Sequence, residues 1–127
     1  MSNPIPAQVR AAVYERDGMC CVRCGISVAG DPERRSIHHR QPRGMGGTSL
    51  PGAHRLSLLV LVCGSGTTGC HGHLESRRRD AQALGWLISK FEAADPQTIP
   101  LRWADSTRTT CLLDDGQKIT DLAGSAA

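Results

Sequence analysis

Between Cys63 and Glu75 the chain packs two cysteines, two histidines and a carboxylate into thirteen residues, Cys63-Gly-Ser-Gly-Thr-Thr-Gly-Cys70-His71-Gly-His73-Leu-Glu75. Thiolate and imidazole at this density form a ligand set for transition-metal ions. Two upstream clusters match it in chemistry, Cys21-x-x-Cys24 and the pair His38-His39. A fold that serves this pattern must bring three separated segments to one place. That requirement constrains the chain more than any local propensity does.

With 127 residues there is room for one domain and a modest core. Tyr14, Trp86, Phe91 and Trp103 are its only aromatic residues, so large packing side chains are scarce. A core of this kind needs a staple, and six cysteines are available to make one. The first residues, Met-Ser-Asn-Pro-Ile-Pro, show no apolar secretory segment. The longest apolar run, Leu58 to Cys63, is too short to span a bilayer. The expectation is a cytoplasmic protein with no membrane association, in which clustered thiols bind metal rather than bridge.

The net charge of +3 is uneven. Residues 1–92 carry 12 basic against 7 acidic side chains, and residues 93–127 carry 3 against 5. Most of the basic residues are arginine, which suits bidentate contact with phosphate. Charge alone leaves an ordinary solvated surface equally open.

In chain order, Pro4 to Asp17 reads as a helix with Val9, Ala12 and Val13 on its apolar side, Arg10 and Arg16 exposed, and Gly18 ending it. Met19 to Gly25 is a metal knuckle. Its natural pair is Cys21 with Cys24, and Cys20 with Cys24 is the alternative. Ile26 to Arg35 reads as loop, Ser36 to Arg40 as a strand, Gln41 to Gly47 as a glycine-rich loop and Thr48 to Arg55 as further loop with His54 at the surface. Leu56 to Val62 reads as a second strand. His71 to Leu84 is helix, stopped by Gly85. Trp86 to Phe91, Pro96 to Ala104 and Thr107 to Thr120 read as β structure, with a hairpin turn at Asp115-Gly116. Ala123 to Ala127 is a tail.

Gly64-Ser-Gly66-Thr-Thr-Gly69 spells the dinucleotide fingerprint, but no second strand with a terminal acidic residue follows. It also fails as a P-loop, because Cys70-His71 stands where Lys-Ser/Thr is needed. The simpler reading is a tight loop that lets Cys63 and Cys70 reach one ion. Cys21, Cys24, Cys63 and Cys70 then form a structural tetrathiolate zinc site, and Cys111 is a core thiol. His71 and Glu75, at i and i+4, share a helix face and can approach one cation. A histidine that follows Cys70 is positioned by that zinc.

Taken together, Cys21-x-x-Cys24, His38-His39-Arg-x-Pro-Arg-Gly-x-Gly-Gly47 and Leu-Val-Cys63-Gly-x5-Cys70-His71 resemble the HNH endonucleases, in particular the small zinc-stapled forms of tailed bacteriophages. The resemblance runs from about Val9 to Arg79. It implies an α+β fold with a ββα-metal core (the His-Me finger) in residues 1–85, the four-cysteine zinc site within it, and a β extension over residues 86–122. It further implies that His38 and His71 bind a catalytic divalent cation, Mg2+ or Mn2+, and that His39 is the general base. Glu75 stands where some members carry a further ligand, and His73 points off the His71 face. Arg40, Arg43, Arg77, Arg78 and Arg79 would contact DNA phosphates. The implied setting is the bacterial host cell, and the implied partner is the terminase large subunit during genome packaging.

One family residue is missing. The asparagine between the two histidine motifs would fall at Leu58, and the chain's single asparagine is Asn3. Leucine cannot hold the loop that carries the general base. Either neighbouring Ser57 substitutes or His39 is loosely held and activity is reduced. Two alternatives follow: a non-catalytic zinc-ribbon protein that binds nucleic acid, and a purely structural zinc module.

Overall fold

In a computed structural model, residues 5–41, 54–104 and 109–121 are described. The fold is α+β, with short helices and two small antiparallel sheets. Helix α1 spans Ala7–Arg16. Gly18, at φ 64°, ends it in a Schellman arrangement: Gly18 N–H donates to Glu15 O and Met19 N–H to Tyr14 O. Arg16 is not exposed as expected. It is 8 % exposed, pairs with Asp17 at 2.7 Å, and donates to the Leu56 and Leu59 carbonyls. Asp17 in turn accepts the Leu61 N–H. The pair therefore ties the end of α1 to the central strand, and burial is tolerable because every charge has partners.

Strands β1 (Arg35–His39) and β2 (Leu59–Cys63) pair antiparallel, with His38 opposite Val60 and His39 opposite Leu59. β2 is the divider of the molecule. Its period-two alternation sends Leu59 and Leu61 into a cluster with Val13, Val28 and Ile37, on the α1 side. Val60 and Val62 go into a second cluster with Val22, Leu74, Trp86, Leu101 and Leu112. Leu59 to Val62 are therefore at most 1 % exposed, a continuous apolar run buried on both faces. Leu56–Leu58, expected to begin this strand, form a 3-10 turn before it.

The helix expected over His71–Leu84 is two helices, α2 (Gly69–Ser76) and α3 (Arg78–Ala83). Arg77, at φ −117° and ψ 61°, leaves helical geometry and separates them. Trp86 to Phe91 is not a strand. Trp86, Leu87 and Ile88 are buried in an irregular segment, and Ile88 N–H donates to Arg40 O. Its apolar pattern reflects core packing, which a short run cannot distinguish from β structure. Pro96–Thr98 is a 3-10 turn, and only Leu101–Arg102 of that region is strand (β3). β3 pairs with β4 (Thr109–Leu112), which pairs with β5 (Lys118–Asp121). The turn at Asp115-Gly116 is present, with Gly116 at φ 92° and Leu113 N–H bonded to Gln117 O. Among the described residues, no helix is long and apolar enough to cross a membrane. The loop containing Arg43 and the tail over 123–127 lie outside the described residues.

Candidate metal centres

Cys21, Cys24, Cys63 and Cys70 converge, with their sulfurs all within 4.8 Å of one another. Cys21 sits on a turn closed by Gly25 N–H to Cys21 O, and Cys24 N–H points at the Cys21 sulfur at 3.5 Å. The second pair repeats this arrangement across the glycine loop, with Cys70 N–H directed at the Cys63 sulfur at 3.4 Å. Gly64, at φ 86°, makes the loop close: a Cβ there would lie 2.1 Å from Thr68 O. A fingerprint that spells a nucleotide loop therefore serves to bring two sulfurs together. Cys24 and Cys63 sulfurs are 3.9 Å apart. A tetrahedron with metal–sulfur bonds of about 2.3 Å has edges of about 3.8 Å, so the spacing fits zinc. It is far too wide for a disulfide, and no disulfide joins any of the four. Cys20 takes no part; it is half-buried in a bridge to Ser27.

Cys21, Cys24 and Cys70 do not ionise alike. Burial pushes Cys70 well up, with the nearby Cys21 and Cys63 sulfurs adding to it against a hydrogen bond from Arg23. Burial also raises Cys24. At Cys21 burial is outweighed by backbone N–H donors from Cys24, Cys63 and Arg23, and its pKa falls. Four thiolates this close need a cation to ionise together, and a metal ion such as zinc would supply that charge. Arg23 lies 3.3 Å from the Cys70 sulfur and stacks over Trp86 at 5.7 Å. Sequence reasoning passed over this residue.

The second cluster is His38, His71 and Glu75, whose ligand atoms also lie within 4.8 Å of one another. His38 comes from β1, on the face turned to α2, and is wholly buried. Its Nε2 is 2.8 Å from Trp86 O. A carbonyl only accepts, so Nε2 carries the proton and Nδ1 keeps its lone pair. That Nδ1 is buried without a hydrogen-bond partner. It faces Glu75 Oε1 at 3.5 Å, beyond good hydrogen-bond distance.

His71 is fixed in the complementary way. Ser36 Oγ donates to Gly64 O at 2.8 Å and stands 2.6 Å from His71 Nδ1. The hydroxyl has one proton, so His71 Nδ1–H donates to it and Nε2 keeps a lone pair. Nε2 is 3.9 Å from Glu75 Oε1. Two imidazoles held by outer partners, each turning a basic nitrogen toward a shared carboxylate, form a metal-ligand arrangement. An orphaned buried nitrogen costs free energy unless something occupies the gap.

Electrostatics suit a cation. Burial chiefly, then the neighbouring His38, lowers the His71 pKa against the pull of Glu75 and so favours the neutral ring. The contact with His38 chiefly, opposed by burial and joined by the charge of Arg78, holds the Glu75 carboxyl below its ordinary value. His73 is half-buried and outside this group.

His39, the last residue of β1, lies opposite Leu59 on the other side of the strand pair from His38. Its Nε2 is 3.2 Å from His54 Nδ1, with the ring centroids 5.3 Å apart. His54, expected to be a plain surface residue, is half-buried and engaged. Nothing in its sequence surroundings signals that contact.

Arg40 corrects an expectation. It is not a phosphate contact: it is wholly buried and donates to Gly85 O, Ser57 O and Ile99 O at 3.0, 2.7 and 2.8 Å. Burial, with the like charge of Arg16 and against Cys111, lowers its pKa to about 10. Ser57 does not reach His39 either. Its hydroxyl and amide are committed to Asp114 Oδ1 at 2.5 and 3.2 Å. Arg77, Arg78 and Arg79 are exposed at the junction of α2 and α3, and Arg78 Nη1 contacts Glu75 Oε2 at 3.3 Å.

No protein-family model matches this chain, and comparison with curated proteins and with solved structures finds no similar protein. The functional reading rests on the two centres themselves.

Proposed function

We propose that the protein is a metal-dependent DNA endonuclease of the HNH type, which hydrolyses phosphodiester bonds. The observation that carries the reading is the buried His38 ring. One nitrogen is anchored on the Trp86 carbonyl and the other is unpartnered beside His71 and Glu75. The order β1, β2, α2 around this ring supports a ββα-metal core.

His38 Nδ1, His71 Nε2 and Glu75 would hold one divalent cation. When bound, it offsets charge on the scissile phosphate and the departing 3′ oxygen. Two imidazoles with one carboxylate make the site more suited to Mn2+ than to Mg2+, and they also admit Ni2+ or Zn2+. His39 accepts the proton of the attacking water as general base. The tetrathiolate zinc is structural: Cys70 precedes His71 in the first turn of α2, so the sulfur site sets where the imidazole points. Arg77, Arg78 and Arg79 would hold flanking phosphates, contacts that give affinity without sequence choice. The sequence motifs extend the proposal to a tailed-bacteriophage protein working with the terminase large subunit. Co-purification of the two chains tests that part.

Incubation of supercoiled plasmid with the protein across Mg2+, Mn2+, Ni2+ and Zn2+, with His39→Ala alongside, tests the activity. Metal-dependent nicking that His39→Ala loses is the expected result. A second reading, a zinc protein that binds nucleic acid without cutting it, is favoured by Leu58 at the asparagine position. It predicts retardation of DNA on a gel and an intact plasmid with every ion.

A further inference from the structure

At the place of the missing asparagine, the two neighbouring residues are committed elsewhere. The Leu58 carbonyl accepts the Arg40 N–H while its own N–H donates to Arg55 O, and Ser57 is bonded to Asp114. His54 reaches the ring instead, with Nδ1 3.2 Å from His39 Nε2 and the ring planes at 51°. The two meet because His39 pairs with Leu59, which brings the chain just before that strand alongside the end of β1. The next residue fixes the backbone there: Arg55 pairs with Asp95 at 2.9 Å and with Asp114 at 2.7 Å.

We propose that His54 is a positioning residue for His39, its Nδ1 accepting the His39 Nε2–H. This rests on the nuclease reading for its catalytic meaning, and on the two rings alone for its geometry. An imidazole that serves as a base needs one protonated nitrogen and one with a lone pair. A donor on Nε2 would cap the lone pair there; an acceptor fixes the proton on Nε2 and makes Nδ1 the basic atom. Asparagine at position 54 would present Oδ1 close to where Nδ1 lies.

The test combines 15N spectroscopy of the His39 ring with kinetics, on zinc-loaded wild type, His54→Ala and His54→Asn. The proposal expects one Nε2–H tautomer of His39 in the wild type and a mixture in His54→Ala. It expects kcat for plasmid nicking to fall about ten- to a hundredfold in His54→Ala, the scale of losing an orienting partner. KM and Mn2+ affinity should stay the same, and His54→Asn should recover most of both signals. Identical His39 ring shifts in wild type and His54→Ala, or no recovery in His54→Asn, overturn it. If the wild type nicks no DNA, the nuclease reading falls, while the ring shifts still decide whether His54 holds His39.

Discussion

His38 and Arg40 stand two residues apart, both wholly buried, and their hydrogen bonds give them opposite roles. His38 keeps a nitrogen in reserve beside Glu75, whereas Arg40 directs three donors at backbone carbonyls. Arg40→Met should therefore destabilise the fold by about 2–4 kcal/mol, since three buried carbonyls lose their donors. Urea denaturation measures this, and DNA affinity of the folded variant should be unchanged. A loss of DNA affinity at unchanged stability would restore a phosphate role. Ser36 orients His71 without touching the proposed cation. Ser36→Ala should weaken Mn2+ binding about ten- to a hundredfold by calorimetry, and an unchanged affinity would remove Ser36 from the site. Sequence spacing picks out His71, Glu75 and the four thiols, because ligand chemistry is local and its residue types are few, and the resemblance to HNH endonucleases selects His38 from the histidine pair. Ser36, Arg23, Arg40 and His54 act through tertiary neighbours, and side chains of their types are usually at the surface.

At the scale of elements, the sulfur site joins the turn after α1 to the loop that opens α2. Helix α2 has eight residues, too few to persist without tertiary support. Removing zinc with a strong chelator should therefore cost α2 its helix, seen as lost far-ultraviolet ellipticity, and should cost the cation at His71 as well. Retention of both would show that zinc plays no structural part. Far from the metals, Asp114 ties the β4–β5 turn to Ser57 and Arg55. Burial pushes its carboxyl up, but hydrogen bonds from Arg55 and Ser57 and the Arg55 charge outweigh it and hold it below the ordinary value. The folded pKa is depressed, so this contribution is complete above the unfolded Asp value, about 3.9, and is lost as pH falls below it. Acid titration of stability should show that loss in the wild type and a reduced one in Asp114→Asn. The strand pair and the hairpin turn were legible in apolar alternation and in Asp115-Gly116. The break at Arg77 and the irregular Trp86–Phe91 segment were not; in the second, packing of Trp86 and Leu87 against β2 and the Ile88 N–H bond to Arg40 O override the local pattern.

For the molecule as a whole, β2 separates an α1 side, an apolar cluster closed by the buried Arg16–Asp17 pair, from an α2 side where His38, His71 and Glu75 meet. The central claim is that the two centres are separate sites of different chemistry, sulfur for a structural zinc and imidazole with carboxylate for an exchangeable cation. Titration of Mn2+ into zinc-loaded protein, followed by electron paramagnetic resonance, tests it most directly. The account predicts one bound Mn2+ per chain in the wild type, none in His38→Ala, and the same zinc content in both. Equal Mn2+ binding by the two proteins, or none by the wild type, would contradict it.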